Sequence, residues 1–176
     1  MGNNMQKNQT KKTIMRVLLP FILLLLMLLD GQISNALRPM FNNYFYLNSH
    51  LLLIGLVLGC LYYQRRYMMS LAIFLGLFFD VYYYSIIGIN MVSMPLTVLL
   101  IYIVFDYVKP SIFSILLSLV IFITIMDSSA YALQAIFKLI QTNTLGFVVR
   151  NLGPSLVMNG LFFIGLSWPL KKMTRL

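Results

Sequence analysis

Six long apolar runs constrain what this chain can fold into. Charged residues, Pro or Asn separate these runs, which cover residues 14–33, 46–63, 67–87, 90–108, 111–133 and 154–170. A helix needs about 20 mostly apolar residues to cross the roughly 30 Å hydrocarbon core of a bilayer. Because the runs are continuous and not alternating, they predict helices rather than membrane β-strands. We therefore predict an all-α integral membrane protein with six transmembrane helices.

The composition excludes the main soluble classes. Hydrophobic residues make up 60% of the chain and charged residues 10%, whereas a soluble domain carries about a quarter charged residues. The net charge is +9, but the high apolar content excludes a nucleic-acid-binding module. Four acidic residues against 13 Lys and Arg exclude an acidic disordered protein. Cys60 is the only cysteine, so no disulfide can form within the chain. We predict no cofactor and no metal site.

The basic residues divide unevenly between the two sides of a six-span chain. Ten of the 13 fall on the side of the termini, and the other side receives Arg38, Lys138 and Arg150. Lys and Arg are retained on the cytoplasmic side, so both termini are predicted to be cytoplasmic. The predicted organisation is a basic cytoplasmic tail over 1–13, disordered to about residue 10, a transmembrane domain over 14–170, and a basic cytoplasmic C-terminus over 171–176.

Two stretches fit a simple span less well. The stretch 111–140 would be about 45 Å long as a helix, so its polar second half is expected to tilt, emerge or bend back. The last span is predicted to start at Pro154, a favourable first helical position. The preceding stretch, 145–152, is then a candidate interfacial helix.

One face of the third span carries the strongest functional candidate. A charged group inside a span is costly, which makes each one a functional hypothesis. Gly76, Asp80, Tyr84 and Gly88 recur every four residues and share a helix face. Glycines beside a carboxylate let another backbone approach closely. We predict that this face contacts a neighbouring helix or a partner; the alternative is a buried acid satisfied by tyrosine hydroxyls.

Other polar residues receive simpler interpretations. A stripe near the end of the fifth run predicts a helix emerging into water, and it consists of Thr124, Asp127, Tyr131, Gln134 and Lys138. Asp30, at the outer end of the first run, is expected to reach the membrane interface. His50 is expected to be a hydrogen-bonded interfacial residue. Gly55 and Gly59 form a small-xxx-small pair that favours packing inside the bundle.

The third and fourth runs resemble a known family. The stretch L-G-L-F-F-D-V-Y-Y-Y-S-I-I-G-I-N-M, residues 75–91, is similar to the most recognisable segment of the rod shape-determining membrane protein MreD family. In that family a Gly-rich span carries a conspicuous Asp, followed by a Gly at a tight turn, and Gly76, Asp80 and Gly88 match this pattern. The end of the chain also resembles the family's last span, with Pro154 near its start and Pro169 before a basic tail.

The resemblance implies a multi-pass, non-enzymatic cell-shape factor in a bacterial plasma membrane. Such proteins bind MreC, a bitopic protein with a large extracytoplasmic domain. They belong to the peptidoglycan elongation machinery with actin-like MreB, a RodA-type glycan polymerase and a class B penicillin-binding protein. Membrane lipid is a further expected partner, nucleic acid is not, and no catalytic residue carries over. The family's fold resembles the six-helix substrate-binding subunits of energy-coupling-factor vitamin transporters.

That fold likeness leaves a second function open, a vitamin-binding subunit of such a transporter. These subunits commonly carry an A-x-x-x-A type pair in their first span, whereas this span reads V-L-L-P-F-I-L-L-L-L-M-L-L. A vitamin pocket also needs convergent polar groups near the outer loops. Those groups could come from Asp80, Tyr84, Asp127 and Tyr131. A secondary transporter is less expected, because no pair of interrupted spans repeats in the two halves.

Overall fold

A computed structural model describes residues 2–41, 44–84, 87–140 and 143–174. Within these ranges the chain forms helices and no β-strand, which confirms the all-α prediction. The α-helices of these ranges are α1 (Gly2–Leu37), α2 (Leu51–Tyr62), α3 (Arg65–Phe79), α4 (Ile89–Tyr107), α5 (Ile112–Ile136), α6 (Thr144–Phe147) and α7 (Gly153–Thr174). A 3₁₀ turn spans Pro39–Phe41, and π-helical turns span Asp80–Tyr84 and Val148–Leu152.

Four helical segments are long and apolar enough to cross a membrane: Ile14–Phe41, Ile89–Tyr107, Ile112–Ile136 and Thr144–Gly165. The second and third predicted spans are shorter as regular helices. Helix α2 has 12 residues, or about 18 Å, and residues 45–50 before it are not helical. Helix α3 has 15 residues and continues as the π-helical turn Asp80–Tyr84.

Several predicted boundaries move. Helix α1 begins at Gly2 and so includes residues 2–13 of the predicted tail, whose cytoplasmic place stays a prediction. Helix α5 ends at Ile136, and Lys138 then takes a positive φ of 56°, so the long fifth run leaves the helix there. The stretch 145–152 is not a separate interfacial helix. Helical turns run without a break from Thr144 into α7, which starts at Gly153. The segment begins at Thr144 because the Asn143 side chain caps it, accepting the Gly146 N–H at 2.6 Å.

The helices pack around one apolar core. Helix α3 lies against α4, α4 against α5, α1 against α2, and α5 against α7. Fully buried side chains from five helices meet there: Leu23, Leu56, Leu75, Val98 and Phe122. Gly55 lies against α1 and Gly59 against Met68 of α3, so this pair packs inside the bundle. Large apolar side chains also cover the outside of α1, as expected for a surface that faces lipid.

Aromatic and basic residues mark one end of the bundle. The Arg16 guanidinium lies 4.8 Å from the centre of the Tyr67 ring, and the Tyr67 hydroxyl donates to the Arg16 carbonyl at 2.7 Å. Nearby in sequence, the Tyr63 carbonyl accepts from the Tyr102 hydroxyl at 2.7 Å. These contacts join α1 to α3, and α4 to the connection between α2 and α3, at the end of the bundle opposite to Asp30 and Asp80.

Candidate functional site

Asp80 lies at the turn between α3 and α4 and is fully buried. Its carboxylate accepts the backbone N–H groups of Gly88 (2.9 Å), Asn90 (2.8 Å) and Met91 (3.1 Å). The Asn90 side-chain amide donates to it as well, at 2.9 Å. The first N–H groups of a helix have no partner within the helix, and a negative charge is favourable there. Asp80 therefore caps α4 from the preceding helix.

The two glycines beside Asp80 make this turn possible. A Cβ on Gly76 would lie 2.4 Å from the Asn90 carbonyl oxygen, so the backbones of α3 and α4 could not approach as they do. Gly88 has a φ of +123°, which favours glycine. The close backbone approach predicted for this face is thus made by α4 of the same chain. Among the described residues, the donors to the Asp80 carboxylate are amides, whereas the alternative interpretation expected tyrosine hydroxyls. The Tyr84 side chain is not among the described residues. Contact with a partner stays a prediction.

Asp30 has the same role in the preceding hairpin. It lies near the end of α1 and is 4% exposed. Its carboxylate accepts the N–H groups of Leu51 at 2.7 Å and Leu52 at 2.8 Å, and the Ser49 hydroxyl at 2.5 Å. The expectation that Asp30 needs no structural role is wrong, because the chain folds back and places the start of α2 on this carboxylate. Its depth in the membrane stays a prediction.

The extended segment before α2, residues 45–50, is held by side chains from both ends of the sequence. Within a bilayer, non-helical backbone is tolerated only where protein or a water-filled cavity satisfies its polar groups. Four N–H groups of this segment find such partners: Tyr46 donates to the Arg150 carbonyl (2.7 Å), Asn48 to Ser155 Oγ (2.9 Å), Ser49 to Ser34 Oγ (2.9 Å) and His50 to Asn159 Oδ1 (2.7 Å). Helices α1 and α7 thus clamp the segment from two sides.

His50 and Asp127 form a buried pair at this point. His50 Nε2 lies 2.8 Å from Asp127 Oδ1, and the two side chains are 6% and 10% exposed. His50 Nδ1 lies 2.9 Å from the Asn48 carbonyl. His50 Nδ1 also lies 3.1 Å from the amide nitrogen of the Asn159 side chain, which joins the pair to α7. The stripe was expected to emerge into water, but the Asp127 side chain is only 10% exposed because His50 covers it. His50 is hydrogen-bonded, as expected, and its place at the membrane interface stays a prediction. Among the described residues, Asp127 Oδ2 is buried without a hydrogen-bond partner.

These groups border a cavity of about 710 Å³. Its walls come from the end of α1, the segment before α2, the end of α5 and residues 146–151. Asp30, His50 and Asp127 line it, whereas Asp80 lies behind Asn90. Arg38 and Arg150 also line it, and their exposed guanidiniums stack on the rings of Tyr46 (5.4 Å) and Tyr44 (4.9 Å). We call this space the polar cavity.

Two polar stripes of this site were missed in the sequence, although their spacing was visible. Ser34 follows Asp30 by four residues on α1, and Arg38 follows Ser34 by four. The same spacing joins Asn151, Ser155 and Asn159 in the last span. Spacing by four places side chains on one helix face. The two stripes predict one polar face on each helix. They do not predict that residues 45–50 lie between these faces.

The family model described as rod shape-determining protein MreD matches residues 11–176. The chain belongs to the MreD family. No curated protein and no solved structure matches it. Membership makes this a cell-shape-related membrane protein and confirms the resemblance drawn from residues 75–91. The family is a structural, shape-determining one.

The segment that carries the MreD resemblance has a clear structural role in this chain. Gly76, Asp80 and Gly88 meet at the α3–α4 turn, where glycine permits the close approach and the carboxylate caps α4. A buried carboxylate that accepts several amide N–H groups is a fixed structural element. The segment that resembles MreD, residues 75–91, therefore forms the turn that joins α3 to α4.

Proposed function

We propose that this chain is a non-enzymatic membrane scaffold that binds MreC within the peptidoglycan elongation complex and so helps to maintain cell shape. The observation that carries this proposal is the MreD family match across residues 11–176. The use of the acidic residues supports it. Asp30 and Asp80 cap helices, so both carboxylates serve the architecture, and Asp127 contacts His50 through one of its two oxygens.

We propose six membrane crossings with both termini in the cytoplasm. The polar cavity supports this topology, because every second connection between helices lies beside it. These connections join α1 to α2, α3 to α4, and α5 to the helical turns that lead into α7. Arg16 and Tyr67 lie together at the opposite end. Ten of the 13 basic residues then fall on the cytoplasmic side. The cavity opens at the outer end of the bundle.

The α3–α4 hairpin is our proposed docking element for the transmembrane helix of MreC. Its inner face is occupied, since α4 covers Gly76 and Asp80. A partner that approaches α3 from the bilayer instead meets Phe74, Phe78 and Tyr82, which are 46%, 45% and 61% exposed. Gly76, Asp80 and Gly88 then contribute by fixing the hairpin against which MreC packs, and contact through Tyr84 stays part of the proposal.

Co-purification with MreC from membranes tests this proposal. Asp80→Ala and Asp30→Ala form a matched pair, because each removes a carboxylate that caps the next helix. We expect Asp80→Ala to lower MreC recovery and cell-shape complementation more than Asp30→Ala at equal protein levels. A Phe78→Ala/Tyr82→Ala double variant should lower MreC recovery without lowering thermal stability. Equal recovery by all four proteins, including the unchanged chain, would contradict the docking proposal.

The polar cavity favours one second candidate, a vitamin-binding subunit of an energy-coupling-factor transporter. Asp127 and Tyr131 line the cavity, as that alternative expects, but Asp80 does not. A volume of about 710 Å³ lies in the range of small-molecule sites, roughly 300 to 1,000 Å³. Titration of the purified chain with individual B vitamins separates the candidates. Binding of one vitamin at about 1 µM or tighter would favour the transporter subunit.

A further inference from the structure

The mouth of the polar cavity carries two guanidiniums without acidic partners. Arg38 and Arg150 line the cavity, and neither forms an ion pair within the ranges that the structure describes. Stacking on Tyr46 and Tyr44 places both groups beside the same short segment, whose Tyr46 N–H also bonds to the Arg150 carbonyl. Stacked guanidiniums keep their N–H edges available for an anion.

The charge of the lining favours an anionic ligand. The Asp127 carboxylate contacts His50, and the Asp30 carboxylate is directed to the start of α2. Within the described ranges, the two guanidiniums therefore face the cavity without a carboxylate at ion-pair distance. Arginine recognises carboxylates and phosphates through paired hydrogen bonds. One guanidinium occupies both oxygens of a carboxylate, whereas the oxygens of a tetrahedral phosphate point in several directions and can bind two guanidiniums.

Asp127 indicates that the ligand also carries a hydrogen-bond donor. Its Oδ1 accepts from His50, but its Oδ2 is buried with no hydrogen-bond partner among the described residues. The side chain is nine-tenths buried and lines the cavity. An unsatisfied buried acceptor is costly, so a ligand that donates a hydrogen bond here gains affinity. Because His50 Nε2 already contacts Oδ1, the place beside Oδ2 needs one further donor, and a ligand hydroxyl supplies it.

We propose that the polar cavity binds a hydroxylated phosphate ester, with Arg38 and Arg150 on the phosphate and Asp127 Oδ2 accepting from a hydroxyl. The cavity volume of about 710 Å³ exceeds the needs of inorganic phosphate and admits an organic ester. The same chemistry occurs in a free sugar or glycerol phosphate and in the headgroup of phosphatidylglycerol. The inference concerns the cavity and holds whether or not MreC docks on the α3–α4 hairpin.

Binding to the full chain in phosphatidylcholine nanodiscs tests the proposal. One arm titrates sn-glycerol 3-phosphate by calorimetry, with inorganic phosphate for comparison. The second arm replaces a fraction of the lipid by phosphatidylglycerol and measures retained lipid by native mass spectrometry. We expect saturable binding in at least one arm, and the responding arm identifies the source. The glycerol ester should bind more tightly than inorganic phosphate, and Asp127→Asn should reduce that preference.

Variants that remove guanidiniums at the two ends of the bundle decide whether the cavity is responsible. Arg38→Gln/Arg150→Gln should weaken binding about tenfold or more, since charged hydrogen bonds are lost. Arg66→Gln, at the opposite end of the bundle, should leave binding unchanged. These three positions are exposed, so the variants should fold. Absence of saturable binding in both arms, or an equal loss in Arg66→Gln, overturns the proposal.

Discussion

Asp80 accepts both the backbone N–H and the side-chain amide of Asn90, at 2.8 and 2.9 Å, although ten residues separate the two. This pair fixes how α3 meets α4. Asp30 repeats the arrangement between α1 and α2, where it accepts the N–H groups of Leu51 and Leu52. Two consecutive hairpins are thus closed in the same way, by an aspartate near the end of one helix that caps the start of the next.

Removal of the Asp80 carboxylate should destabilise the protein strongly. Asp80→Ala leaves the buried N–H groups of Gly88, Asn90 and Met91 without their acceptor, and we expect a loss of about 3 kcal/mol or more. Asn90→Ala removes only one side-chain donor and should cost about 1 kcal/mol. Reversible unfolding in detergent measures both values. A loss for Asp80→Ala no larger than that for Asn90→Ala would show that the carboxylate does not hold α4.

The Gly76 position should tolerate no side chain. In Gly76→Ala the new Cβ would lie 2.4 Å from the Asn90 carbonyl oxygen, which is backbone and cannot turn away. We expect a loss of about 1 to 3 kcal/mol and a lower Tm. Gly160→Ala is the matched control, because among the described residues no atom beyond its chain neighbours and its own helix backbone lies within 4 Å of the new Cβ, and alanine favours a helix interior. Equal Tm values for the two variants would refute the close approach of α3 and α4.

The clamp on residues 45–50 should depend on Asn159. Its side chain accepts the His50 N–H at 2.7 Å and donates to the Asn48 and Ser155 carbonyls at 2.7 and 2.8 Å. Asn159→Ala should therefore cost about 2 to 3 kcal/mol and speed hydrogen exchange in this segment. Val157→Ala, an exposed position on the same helix, serves as control. Unchanged exchange in Asn159→Ala would contradict the clamp.

His50 and Asp127 should be strongly coupled. His50→Ala leaves Asp127 buried without its partner, and we expect a loss of about 3 kcal/mol or more. In His50→Ala/Asp127→Ala the stranded carboxylate is gone as well, so the double variant should lose clearly less than the sum of the two single variants. A double-mutant cycle of unfolding free energies measures this coupling. Strict additivity would mean that the two side chains do not interact.

The sequence supported the helical membrane fold because its signal is local. An apolar run of about 20 residues must satisfy its backbone within itself in a bilayer, and this requirement can be read from composition alone. The importance of Asp80 and Gly76 was also visible, since a charge and a glycine in a span stand out by spacing. The sequence did not show that α4 itself supplies the close backbone contact at this face.

An all-α membrane protein, a polar contact at Gly76 and Asp80, and the resemblance to the MreD family all follow from the residues, and the family match confirms that resemblance. The cap of Asp30 on α2, the contact of His50 with Asp127 across 77 residues, and the cavity shared by the two arginines become visible only in the folded chain. A buried polar group needs a partner, because leaving it unpaired is costly. Which partner it finds depends on helix packing, which brings together positions that no sequence period relates.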